Sequence, residues 1–177
     1  MQTFNLIPFP TNDLPQIRVT GEIERREGAL FIRYAATGEI DSVRVPAPTH
    51  SPSRRNELWK TTCFEFFLAV PGKPEYWEFN LSPSGDWNAY RMDEYRRIGF
   101  REDTLVRQIQ IAVREEAGEL RLSAQVGLDP LFEADQILEA GISAVIRTKN
   151  GTETYWALRH PNAHADFHHR EGFEIRI

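Results

Sequence analysis

The sequence predicts an all-β fold, an antiparallel sandwich or barrel, and three observations carry that prediction. Apolar and polar residues alternate with period two along most of the chain. Turn signals rich in Gly, Pro, Asn and Asp interrupt the alternation at short intervals. Helical spacing is nearly absent, and only Asp129-Pro130-Leu131-Phe132-Glu133-Ala134 reads as a helical turn or two. About ten short strands at this spacing belong to a sandwich or a barrel.

The elements follow in order. Ile17 to Ile23 and Leu30 to Tyr34 flank Glu27-Gly28, a hairpin turn. Ile40 to Val45 reads as a further short strand, closed by Pro46 and Pro48. After a loop with His50, Pro52 and Arg54-Arg55, Leu58 to Val70 reads as one long strand ended by Pro71-Gly72-Lys73-Pro74. Tyr76 to Ser82 and Trp87 to Asp93 are joined across Pro83-Ser84-Gly85-Asp86. Leu105 to Arg114 and Leu120 to Val126 turn about Glu116-Ala117-Gly118-Glu119. Ile142 to Thr148 and Thr152 to Leu158 turn about Asn150-Gly151, the strongest short hairpin signal in the chain. Gly172 to Ile177 is the last strand.

Strand alternation also sorts side chains by face. Phe64, Phe66, Leu68 and Val70 point one way; Cys63, Glu65, Phe67 and Ala69 point the other. Trp77, Phe79 and Leu81 oppose Tyr76, Glu78, Asn80 and Ser82. One sheet is therefore expected to carry Glu65, Glu78, Asn80, Gln108, Gln110, Ser123 and Gln125 opposite its apolar face. Such a face suits a sugar, which needs polar partners for its hydroxyls and flat rings for its C–H face. It equally suits an ordinary solvated sheet face, since antiparallel sheets often wet one side.

The chain has 177 residues, the size of a single domain spanning 1–177. It is 41% hydrophobic and 27% charged, a globular mix, and its net charge of −5 argues against nucleic acid or an anionic membrane as partner. A single cysteine, Cys63, excludes an intrachain disulfide and cysteine-rich metal sites; in mid-strand it reads as a small buried residue. The first residues lack a basic region and a long apolar stretch, so a cytoplasmic location is expected.

The aromatic and ionisable candidates divide further. Trp59 and Trp156 are possible stacking platforms or packing residues; Trp77, in register with Phe79 and Leu81, is expected in the core, and Trp87 fits either role. His160, His164, His168 and His169 form the sole metal-like cluster, but Pro161-Asn162-Ala163 marks a loop, so no metal site is assigned. No hydrolase elbow or phosphate-binding glycine loop occurs. Glu65 and Glu78 are the one carboxylate pair that glycoside cleavage would use, and hydrogen bonding is their expected role; the chain is read as non-catalytic. Glu65 is expected near an arginine, Arg91 being the candidate, in a concavity walled by Trp59 or Trp156.

Leu58-Trp59-Lys60-Thr61-Thr62-Cys63-Phe64-Glu65-Phe66-Phe67-Leu68 and Tyr76-Trp77-Glu78-Phe79-Asn80-Leu81-Ser82-Pro83-Ser84-Gly85 resemble the DOMON-like superfamily, and within it the family 9 carbohydrate-binding modules. Trp87-Asn88-Ala89-Tyr90, Tyr155-Trp156-Ala157-Leu158 and Asp166-Phe167-His168-His169 are similar to stand-alone bacterial DOMON-like domain proteins. The resemblance, from about Ile17 to the end, implies a two-sheet antiparallel, immunoglobulin-like β-sandwich that binds a small-molecule sugar without a cofactor. It assigns Trp59 and Trp156 as the ring sandwich and Glu65 and Arg91 as hydroxyl binders; the polar face adds Asn80 as a further candidate ligand-binding residue. Thr61-Thr62 departs from the acidic residue usual there. Other branches of the superfamily bind haem b through a Met and a His; Met92 with His50, His160, His164 or His168 are the counterparts here.

Overall fold

A computed structural model describes residues 1–95 and 101–177. The chain folds into two antiparallel sheets that pack face to face as a β-sandwich. The five-stranded sheet has the order β1 (Gln2–Asn5), β3 (Ile17–Arg26), β4 (Ala29–Gly38), β10 (Glu119–Gly127), β9 (Ile109–Glu116). The larger sheet runs β2 (Ile7–Pro8), β12 (Glu153–Ala157), β11 (Glu139–Arg147), β5 (Cys63–Ala69), β6 (Tyr76–Leu81), β7 (Trp87–Met92), β8 (Arg101–Glu102). The short β13 (Ile175–Arg176) also pairs with β11. Among the described residues, no helix is long and apolar enough to cross a membrane.

The turn chemistry sets the hairpins. Glu27 and Gly28 both take positive φ (50° and 71°), which twists the β3–β4 hairpin in the sense its strands need. Gly151 at φ 97° does the same service between β11 and β12. Between the sheets lie Val19, Ile23, Leu30, Ile32, Leu120, Leu122 and Val126 from one side and Phe64, Phe66, Leu68, Phe79, Leu81, Ile142 and Trp156 from the other. The Tyr34 hydroxyl, within this core, donates to the Glu65 carbonyl at 2.8 Å and ties the two sheets together.

Several expected elements differ. Ile40 to Val45 is not a strand: Ile40–Ser42 forms a 3-10 turn closed by the Ser42 hydroxyl on the Glu39 carbonyl, and Val43 makes one bridge to Thr148. Leu58 to Val70 is not one strand either. Glu57 adopts a left-handed conformation and Leu58–Lys60 coils into a 3-10 turn, so strand pairing starts only at Cys63. Asp129 to Ala134 contains a single turn rather than a helix, with Phe132 N–H donating to the Leu128 carbonyl. The N-terminal strands β1 and β2 lie on different sheets, the chain crossing over at the buried Leu6.

The most consequential difference concerns the expected polar face. Gln110, Ser123 and Gln125 belong to the five-stranded sheet, whereas Glu65, Glu78 and Asn80 belong to the larger one; they never share a face. The Glu65 face is not wet. All seven residues of β5 and all six of β6 are buried. The chain after β12 folds back over this face. There Phe173, together with Trp59 and Phe167, packs a second apolar cluster on Phe67, Tyr76, Tyr90 and Met92. Gly141 makes room for it: a Cβ at that position would stand 2.7 Å from the Phe173 ring.

Candidate functional site

The cover does not fill the space beneath it. A cavity of about 250 Å³ remains between the outer face of the larger sheet, the turn carrying Trp59 and the returning segment. Glu65 from β5 and Glu78 from β6 contribute two carboxylates. Tyr90 and Met92 come from β7, Val145 from β11, and Glu153 and Tyr155 from β12. The returning segment adds Asp166, Phe167 and His168.

Register explains this grouping. Glu78 lies opposite Tyr90, and Val145 opposite Tyr155, so each pair projects outward together. Phe67, the outward neighbour of Glu65, lies opposite Glu78, which places the two glutamates on a diagonal of adjacent strands. Trp59 leaves the sheet plane because of its 3-10 turn and meets Tyr90 edge to face, ring centroids 5.9 Å apart.

The carboxylates differ in their partners. Glu153 is bound by the Arg147 guanidinium and the Tyr155 hydroxyl, and the bond to Glu153 pushes Tyr155 up to about 12. Asp166 accepts from the Asn162 amide, the His168 N–H and the Tyr95 hydroxyl. Glu78 accepts from Asn80 Nδ2 at 2.7 Å, and His168 Nε2 stands 3.9 Å from its other oxygen. Glu65, 3% exposed, receives one bond, from the Ser143 hydroxyl at 3.3 Å. Burial drives Glu65 well above the ordinary carboxylate range, and neighbouring Glu78 pushes it further. Burial likewise raises Glu78 to about 7, against the lowering effect of the Asn80 bond.

Of the residues assigned by resemblance, Trp59 and Glu65 line the cavity. Asn80 sits beneath it, fully buried, holding Glu78. Arg91 and Trp156 lie on the other side of the sheet. Arg91 is opposite Trp77 and stacks over its ring at 5.4 Å, and Trp156 is buried in the inter-sheet core with its indole N–H on Thr154. Both follow from parity: the residue that shares the Glu65 face is Tyr90 rather than Arg91, and Tyr155 rather than Trp156. The expected arginine beside Glu65 is absent among the described residues, and a wall containing Trp59 is present. Trp77 and Trp87 are buried in the core. Tyr90, Tyr155, Glu153 and Asp166 were not marked as ligand-facing from sequence; the alternation of Glu153 and Tyr155 against Thr154 and Trp156 was the signal that marks the second pair.

The histidines disperse. His160 bonds the Ile7 carbonyl, His169 caps the turn at Glu171, and His168 alone lines the cavity. Among the described residues no three His, Cys, Asp or Glu side chains gather as a metal site. Met92 and His168 both line the cavity. His168 Nδ1 lies 3.0 Å from the Tyr76 hydroxyl, and its Nε2 is 3.9 Å from a Glu78 oxygen. Cys63 is buried with its thiol pushed up by burial, as suits a packing residue.

No protein-family model matches the chain, and no curated protein matches it. Solved structures do. A candidate carbohydrate-binding protein from Bacteroides uniformis superposes with a TM-score of 0.70 at 14% identity, over 98% of this chain and 84% of that one. A family 9 carbohydrate-binding module from Caldicellulosiruptor kristjanssonii, solved with cellotriose, gives 0.57 at 10% identity, over 97% and 79%. At these identities the likeness establishes the shared sandwich fold. The DOMON-like resemblance rests on the sequence motifs.

Proposed function

We propose that the protein is a non-catalytic binding protein that holds a carbohydrate in the cavity between Trp59, Glu65 and Glu78. The observation that carries this reading is the composition of the cavity: paired carboxylates on the floor and the rings of Trp59, Tyr90, Tyr155 and Phe167 in its walls. Sugar hydroxyls donate to carboxylates, and the C–H face of a pyranose packs on an aromatic ring. A volume of about 250 Å³ favours a single ring or a chain end over a long polysaccharide. The carbohydrate-binding proteins that share the fold support the reading.

Calorimetric titration against a panel of mono- and disaccharides at millimolar concentration tests the proposal. At least one sugar is expected to release heat, and Trp59→Ala is expected to weaken it roughly tenfold through lost ring contact. No heat from any sugar in the panel would sink the reading.

A further inference from the structure

Among the described residues, the cavity lining is rich in acceptors and poor in cations. Glu153 already has Arg147, and Asp166 has three donors among the described residues. Glu65 and Glu78 have no arginine or lysine beside them among the described residues; Glu78 has an amide and a histidine, and Glu65 has only the Ser143 hydroxyl. Glu65 Oε1 accepts no hydrogen bond from any described residue, although the side chain is 97% buried and lines the cavity. A carboxylate withdrawn from water without a cation is costly, and it settles by taking a proton or by receiving a cation from outside.

The walls favour the second outcome. Trp59, Tyr90, Tyr155 and Phe167 line the same cavity as the two glutamates, and aromatic rings attract an ammonium group electrostatically as well as packing a sugar ring. A neutral hexose offers hydroxyls that both donate and accept, whereas an ammonium offers three donors and accepts nothing. Glu65 and Glu78 supply the complement of the latter. We propose that the preferred ligand is an aminated sugar, its ammonium against Glu65 and Glu78 and its ring against the aromatic wall. This rests on the saccharide reading above and names the class within it.

The test is calorimetric titration of the intact protein with D-glucosamine, D-galactosamine and D-mannosamine against glucose, galactose and mannose, at a pH where the amines are protonated. At least one hexosamine is expected to bind about tenfold or more tighter than its neutral parent, the scale of one charge-assisted hydrogen bond. N-acetylation, which removes the charge, should abolish the advantage. Glu65→Gln keeps the side-chain shape and should also erase it; Glu78→Gln is the second variant. Neutral sugars binding as tightly as their amines would overturn the proposal and leave the saccharide reading standing. An advantage that survives both variants would overturn the placement of the amine. If no sugar binds at all, the saccharide reading and this proposal fall together.

Discussion

The two outer faces of the sandwich are built from the same alternating strands and end in opposite states. On the five-stranded sheet β10 alternates cleanly, with Leu120, Leu122, Ala124 and Val126 inside and Arg121 and Gln125 in water. A broad trough of about 720 Å³ lies on that sheet's outer side, larger than the cavity on the opposite sheet. Most of its charges are already matched in solvent, Arg33 with Glu22 and Arg121 with Glu119. Exposed pairs of this kind are screened and contribute little. On the larger sheet the returning segment removes water from Glu65 and Glu78, and the same kind of side chain becomes an unbalanced, strongly interacting group. The comparison shows that cover, more than volume, turns a sheet face into a site.

Removing the anchor of the cover should produce the largest effect. Phe173 is 6% exposed and packs on Gly141, Phe67 and Tyr76. Phe173→Ala is expected to cost about 3–5 kcal/mol, the usual range for a buried Phe, read as a lower midpoint in urea unfolding. A loss below about 1 kcal/mol would mean that the segment lies on the sheet without stabilising it.

A smaller effect follows from the buried acids. Glu78 faces Glu65 on β5, Asn80 on its own strand, Tyr90 on β7 and His168 from the cover. Its folded-state value near 7 lies above the ordinary 4.5, so the folded protein keeps a proton that the unfolded chain releases. The resulting stability is full below about pH 4.5 and is lost as pH rises toward about 7. Glu65, shifted in the same direction, adds to the trend. Glu78→Gln should therefore flatten the fall in stability across that window by on the order of 3 kcal/mol, measured by urea unfolding at a series of pH values. A profile identical to that of the parent would show that Glu78 is solvated.

The smallest effect belongs to the open face. Gln125→Ala on β10 should change stability by no more than about 0.5 kcal/mol and leave its pH profile unaltered. A larger loss in the same unfolding measurement would mean that this face, too, is covered.

Much of the sandwich was legible in the residues. The β3–β4 hairpin follows from alternation on either side of Glu27-Gly28, and the β11–β12 hairpin from Asn150-Gly151. Trp59 and Glu65, close together in one motif, line the same cavity. Other positions were misjudged where local cues compete. Val43 and Val45 have strand-forming side chains, yet the Ser42 hydroxyl and the preceding Gly38 turn the backbone. Arg91 and Trp156 were one residue out of phase with the site, and a shift of one residue exchanges the faces of a strand.

The sequence by itself determined the main hairpins, their turns and which side chains on each strand stand together, because these depend on near neighbours and a period of two. It did not determine which strands adjoin or what lies over them. That Gln110 and Glu65 stand on different sheets, and that Phe167, His168 and Phe173 return to enclose Glu65 and Glu78, are consequences of contacts between segments far apart in the chain. Only tertiary packing sets them, and with them the desolvation that gives the two glutamates their chemistry.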